Sequence, residues 1–342
     1  MKNIKVLFDI GHPAHFHLFK NFINYLKDKN IAFFITTRNK EITNQLIDHE
    51  GLDYKSISNP GKNLIGMLFE LLKRDFRVFK IHRKEKFTHA FGTSVSIAHL
   101  TKLSKVISYN FCEDDDDIIP FQTKLIYPFT SKIIVPDCLE YGKWKSKRIL
   151  VPSYHELAYL HPEVFRPDIK IIKNYGLEPK KYIILRLSAL KAHHDLIARG
   201  ISEKIIKKIK EVLKDYAVIE SHELKKQLKI KIWDMHHVLS FSKMIISDSQ
   251  TMTIESAVLG IPAVRINTFI GKSTVIGELE EKYKLAYGIH PENEKEIIKT
   301  IEYLSTDKSV DKVWEDRKNR LLKDKINFNQ WMIDFFDKEV SI

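Results

Sequence analysis

The chain has 342 residues, 44% hydrophobic and 29% charged, a globular composition too long for one ordinary core and suited to two domains. Its formal net charge of +12 favours an anionic partner, but the lysines are dispersed and no helix-turn-helix, RNP or zinc-finger pattern points to nucleic acid. Two cysteines, Cys112 and Cys138, make neither a disulfide framework nor a metal-ligand spacing, and no apolar run approaches the roughly 20 residues of a membrane span. With no signal-peptide core ahead of the first strand, a cytoplasmic, non-integral protein is expected.

In chain order, Lys5–Ile10 reads as a strand running into Gly11-His12-Pro13-Ala14-His15-Phe16-His17. Helical spacing through Phe19, Phe22, Ile23 and Leu26 predicts a helix over Phe16–Lys27. Ile31–Thr36 is the next strand, and Lys40–His49 a helix ended by Gly51. Leu64–Phe79 is rich in Leu, Ile, Met and Phe, with Lys73, Arg74, Arg77, Lys80, Arg83 and Lys84 interleaved or following. It reads either as a core-facing helix with a wet basic face or as an amphipathic helix resting on an anionic membrane. Thr88–Gly92, Val106–Tyr109 and Lys132–Val135 are further strands.

Periodicity lapses between Val151 and Pro179, where a crossing between domains is expected. The pattern restarts with a strand at Tyr182–Leu185, a lysine-rich helix at Ser202–Leu213 and a strand at Ala217–Glu220. It continues with a strand at Met244–Ile246, a hydroxyl-rich turn, a helix over Met252–Leu259 closed by Gly260 and Pro262, and a strand at Ala263–Ile266. Asp311–Lys338 reads as a helical tail with aromatic residues at its end. The expected fold is α/β: two Rossmann-like parallel-sheet domains, 1–158 and 159–342, facing across a cleft.

Three loops at strand ends carry candidate chemistry. In Gly11–His17, a histidine can serve as general base at neutral pH, with His15 the first choice, His12 next and His17 last. Three histidines at that spacing also invite zinc, but no carboxylate or cysteine nearby completes a set. In Arg186–Asp195, Arg186, Ser188, Lys191, His193 and His194 are potential phosphate donors within ten residues of a strand end. In the turn before Met252, Ser249, Gln250 and Thr251 with the helix N-terminus suit a phosphate, and Glu255 one turn on suits the ribose diol. The acidic run Glu113–Asp117 contains an Asp-x-Asp spacing that can serve a divalent ion, but it reads better as a solvated loop.

Residues 11–19 (Gly-His-Pro-Ala-His-Phe-His-Leu-Phe), 186–195 and 249–262, with Glu-Leu-Ala-Tyr-Leu-His-Pro at 156–162, resemble the DUF354 family, itself similar to GT-B glycosyltransferases and UDP-N-acetylglucosamine 2-epimerases. The resemblance implies a nucleotide-sugar in the C-terminal domain and a C-terminal helix that crosses back to the N-terminal one. Glu255, five residues before Gly260, matches the ribose-binding glutamate of the lipid-II-forming transferase. Asp-Ser-Gln-Thr at 248–251 replaces the epimerases' Asp-Ser-Gly-Gly.

The expected activity is metal-independent glycosyl transfer from a nucleotide-sugar, UDP-linked by resemblance, in surface polysaccharide or glycolipid assembly. Its partners are a sugar, glycan or lipid-linked acceptor and an anionic membrane surface, with no cofactor beyond the donor itself. The alternative is a UDP-N-acetylhexosamine 2-epimerase or hydrolase. Glu113 and Asp114 stand roughly where the epimerases place a carboxylate, although the glycine-leucine-arginine that follows theirs is missing here.

Overall fold

A computed structural model describes residues 4–59, 61, 63–139, 144–187, 201–222 and 230–341. The chain divides into two compact units, residues 1–159 with 327–342 and residues 160–326.

The first unit runs β1 (Lys5–Ile10), α1 (Pro13–Asp28), β2 (Ala32–Arg38), α2 (Glu41–His49), β3 (Lys55–Ser58), α3 (Leu64–Glu85), β4 (His89–Gly92), α4 (Val95–Leu103), β5 (Ile107–Phe111), α5 (Pro120–Ile126), β6 (Lys132–Pro136) and β7 (Arg148–Val151). All seven strands pair in parallel, in the order β3-β2-β1-β4-β5-β6-β7. Val6, Leu7 and Phe8 of β1 are wholly buried, as a central parallel strand covered by helices on both faces requires. The order reverses at β1, with β2 on one side and β4 on the other, and the C-terminal ends of strands at such a reversal are where open α/β sheets bind their ligands. The short helix α6 (Leu157–Leu160) follows at the division between units.

The second unit contains α7 (Ile169–Asn174), β8 (Tyr182–Leu187), α8 (Glu203–Val212), β9 (Ala217–His222), α9 (Met235–Phe241), β10 (Ile245–Ser247), α10 (Gln250–Leu259), β11 (Ala263–Ile266), α11 (Thr274–Gly277), β12 (Ala286–Ile289), α12 (Glu294–Thr306) and α13 (Val310–Asp324). Its parallel sheet has the order β12-β11-β10-β8-β9, so its reversal falls between β8 and β10. Gly260 closes α10 at φ +76°, with its backbone N–H on Ala257 and Ser256 carbonyls. A Cβ there would lie 2.7 Å from Lys318 Cδ. Lys318 can swing away, but left-handed backbone strain cannot be relieved. Gly260→Ala should therefore destabilise this unit by about 1–2 kcal/mol in urea denaturation; an unchanged midpoint would contradict this.

The helical tail is two helices. α13 ends before Lys325, and α14 (Phe328–Val340) starts afresh at Asn327, whose side chain accepts from Gln330 N at 3.2 Å. α14 packs in the first unit: Phe336 lies 5.4 Å from Phe22 between ring centroids, and Tyr25 Oη donates to Asp337 at 2.6 Å. α1 begins at Pro13, three residues before the predicted start. Proline suits the first helical position, and His12 caps it by accepting from Ala14 N at 3.2 Å.

α3 keeps to the core-facing reading in its C-terminal half, where Val78 is buried with Leu7, Ala90 and Ile97, and departs from it in its N-terminal half. Over its first turns the buried line is Glu70 and Arg74, while Ile65, Leu68, Phe69, Leu72 and Phe76 face solvent. The buried charges are held by the sheet. Arg74 Nε donates to Asp9 Oδ2 at 3.3 Å and Nη1 to Ser58 Oγ at 2.7 Å, with Nη2 on Asp9 Oδ1. Glu70 accepts from Arg38 Nε at 2.7 Å and from Ser58 Oγ at 2.9 Å. Among the described residues no helix is long and apolar enough to cross a membrane.

Candidate functional site

At the β1/β4 reversal the three histidines of the first loop separate into three roles. His12 is exposed and caps α1. His17 is buried, its ring stacked on Tyr159 at 5.2 Å. His15, half-buried in the first turn of α1, places Nδ1 3.0 Å from Thr93 Oγ1 in the loop after β4. Desolvation lowers its pKa well below the usual histidine value, helped by the nearby charges of His12, His155, Lys40 and Arg38. An imidazole held neutral on a sheet edge can accept a proton. The loop is also framed from below, because Asp9, three residues before His12, accepts from Thr36 Oγ1 at 2.6 Å and from Ser94 Oγ.

The acidic run does not form a ligand cage. Glu113 turns inward to His155, which donates its backbone N–H to Glu113 Oε1, with the His155 Nδ1 3.3 Å from Oε2. Asp116 turns to Arg148 at 2.6 Å. These carboxylates diverge, and the solvated-loop reading is wrong for Glu113 in particular. Burial raises Glu113 and lowers His155, so the favoured form is neutral, one carboxyl proton facing an imidazole nitrogen. Asp114, half-buried, is raised by burial and by Asp115. His155 Nε2 is buried without a hydrogen-bond partner among the described residues, and Phe328 stacks on the ring at 5.7 Å. The sequence marks His155 by nothing more than a histidine inside an aperiodic stretch, 42 residues from its partner.

In the second unit, Arg186 is the penultimate residue of β8 and its Nη1 donates to Ser221 Oγ at 2.7 Å, while its buried Nε has no partner among the described residues. Ser188, Lys191, His193 and His194 lie outside the described residues. Beside Arg186, β10 leads into Ser249, the N-cap of α10, which makes no side-chain cap bond to the helix. Gln250 Nε2 donates to Ser273 Oγ at 3.3 Å. Thr251 and Glu255 are four residues apart and so share a helix face. Glu255 is 6% exposed, with Oε1 3.1 Å from His236 Nε2 on α9. His236 fixes that carboxylate, a partnership the sequence hinted at only by placing a His-His pair shortly before the motif. Asn267 Nδ2 donates to Asp248 O at 3.1 Å and braces the turn.

Both units therefore carry polar chemistry at the reversal point of a parallel sheet, the arrangement of the GT-B fold. The chain matches a protein of S. aureus, MnaA, solved with UDP, at TM-score 0.70 and 12% identity over 99% of this chain and 97% of that one. It matches the UDP-GlcNAc 2-epimerase of Methanocaldococcus jannaschii in complex with UDP-GlcNAc and UDP at TM-score 0.65 and 14% identity, over 89% and 94%. CalG4, the calicheamicin glycosyltransferase, matches at TM-score 0.59 and 10% identity over 100% of both chains. At such identities these likenesses establish the fold. The chain belongs to the DUF354 family, described as a protein of unknown function, whose model matches residues 4–329. No curated protein matches it in sequence.

Proposed function

We propose that the chain is a nucleotide-sugar-dependent glycosyltransferase, using a UDP-sugar in surface polysaccharide or glycolipid assembly. The observation that carries this reading is His15, a neutral imidazole on the edge of the first sheet, bonded to Thr93. In the proposed reaction His15 takes the proton of an acceptor hydroxyl, whose oxygen bonds to the sugar C1 as the C1–diphosphate bond breaks. Arg186 and the start of α10 meet the charge on the departing diphosphate, so no metal is required. Glu255, held by His236, accepts from the ribose hydroxyls. The support for UDP is that MnaA and the M. jannaschii epimerase were solved with UDP or UDP-GlcNAc. Arg186, Ser249, Gln250, Thr251 and Glu255 are its contacts on the second unit, and Ser188, Lys191, His193 and His194 complete them in this reading.

A specific observation keeps a second reading open. The buried, raised Glu113 facing His155 is a proton donor of the kind a 2-epimerase or hydrolase needs, with Asp114 beside it. Solvent deuterium entering C2 of the sugar would establish that chemistry, whereas nucleotide release only in the presence of an acceptor supports transfer.

The donor is found by thermal shift with UDP-, GDP-, CDP- and dTDP-sugars, since a tight ligand stabilises by mass action; at a hundredfold over Kd the gain is about 2.7 kcal/mol. No shift with any of them would defeat both readings. Glu255→Ala should then weaken nucleotide affinity about ten- to a hundredfold, the worth of a hydrogen bond to a charged group. Unchanged affinity in a correctly folded variant would remove Glu255 from the ribose.

A further inference from the structure

We propose that the outward face of α3 docks on an anionic lipid bilayer, and, resting on the transferase reading, that the acceptor is a lipid-anchored hydroxyl compound. Ile65, Phe69, Leu72 and Phe76 recur at helical spacing and are 68%, 68%, 58% and 70% exposed. Four large apolar side chains so open on one stripe need a covering surface. The exposed cations Lys73, Lys80, Arg83 and Lys84 continue the same face or flank it.

The acids of α3 do not offset them. Glu70 is buried on Arg38 and Ser58, Asp75 accepts from His99 at 2.6 Å, and Glu85 pairs with Lys5 at 2.6 Å while reaching Lys84 only at 4.0 Å. The face is therefore apolar toward its N-terminal half and positive toward its C-terminal half. A second copy of the chain packed on this face would set the cations against their equals or against the apolar half of the partner helix, and neither arrangement gives them counter-charges. A bilayer with anionic headgroups satisfies both halves at once, its acyl boundary taking the aromatics and its phosphates the lysines.

The same helix is tied to the candidate base. α3 follows β3 in a parallel sheet, so its first turns stand at the strand C-terminal edge where His12 and His15 lie. Arg74 bonds Asp9, Asp9 accepts from Ser94, and the adjacent Thr93 bonds His15. Docking through Ile65–Phe76 thus brings the edge bearing the base to the lipid surface, where an acceptor hydroxyl anchored in the membrane is presented to it.

The full chain is co-sedimented, without nucleotide, with vesicles of phosphatidylcholine alone or mixed two to one with phosphatidylglycerol. Binding to the mixed vesicles that falls with salt is expected. Phe69→Ser/Phe76→Ser should reduce it at least about tenfold, and Lys80→Glu/Arg83→Glu about twentyfold or more, since each cation near an anionic surface is worth roughly fivefold. Both pairs of positions are exposed, so wild-type melting is expected and is checked. No binding by the wild type, or equal binding by the folded Phe69→Ser/Phe76→Ser variant, overturns the docking surface. So does a wild-type dimer that this variant dissociates. With the donor found by thermal shift, nucleotide release should require vesicles of total lipid extract from the source cells. Release with the lipid-free aqueous extract instead overturns the lipid-anchored acceptor. Failure of the transferase reading registers only in these donor assays, because vesicle binding is read with no nucleotide present.

Discussion

Replacing His15 with Gln is expected to leave nucleotide affinity unchanged and to lower turnover about 10²- to 10⁴-fold, the usual contribution of a positioned general base. Glutamine keeps a polar contact to Thr93 but has no nitrogen that can take a proton. Affinity is spared because the proposed nucleotide contacts belong to the second unit, on β8 and α10. The pH profile supplies an independent check. His15 is lowered well below the usual value, first by burial and then by neighbouring positive charge. The neutral base is therefore fully present at pH 6.5 and above and is lost only as pH falls through the lowered pKa. The acid limb of kcat/KM should lie below pH 6.5 and disappear in His15→Gln. A limb at or above pH 6.5, or turnover within tenfold of wild type, would take the base role away from His15. Glu113→Gln separates the two activities. Under glycosyl transfer it leaves most turnover intact, whereas loss of turnover together with C2 deuterium exchange in the wild type assigns the chemistry to the Glu113–His155 pair.

The parallel-sheet pattern was legible because its central strands are unbroken apolar runs between turn residues. Val6-Leu7-Phe8 and Ile183-Ile184-Leu185 are buried on both faces and must be apolar throughout. Three of the four edge strands escaped: β3 is Lys-Ser-Ile-Ser, β7 is Arg-Ile-Leu-Val and β12 is Ala-Tyr-Gly-Ile, and only β9 was legible. An edge strand meets one neighbour and much solvent, so its composition is barely constrained. The loop motifs were legible for a related reason, since each stands directly after a central strand. Partners across the fold were not. His155 reaches Glu113, and His236 reaches Glu255, through packing that no local spacing encodes. For α3, the apolar residues were plain in sequence but the buried face was not, because it is decided by Asp9 and Ser58 on two other strands.

Arg74→Met is expected to cost the first unit about 3–5 kcal/mol, the penalty for leaving one charge of a buried pair unmatched. Asp9 is 0% exposed, and without the guanidinium it retains, among the described residues, only the Thr36 and Ser94 side-chain donors. Arg74→Lys should recover little, because one ammonium cannot reproduce the planar fork that spans both Asp9 oxygens and Ser58. Asp9→Leu/Arg74→Met should recover much of the loss, since removing both charges also removes the need to desolvate them. Hydrogen exchange resolves the effect by unit: amides of β1 and β4 should lose protection while those of β8 and β10 keep it. The pair also has a catalytic consequence. Asp9 stands three residues before His12 and bonds Ser94, whose neighbour Thr93 holds His15, so a folded Arg74→Met protein should lose kcat with nucleotide affinity intact. A variant within 1 kcal/mol of wild type would mean that Asp9 finds other compensation on unfolding its contact with α3, and the link between that helix and the base would then be broken.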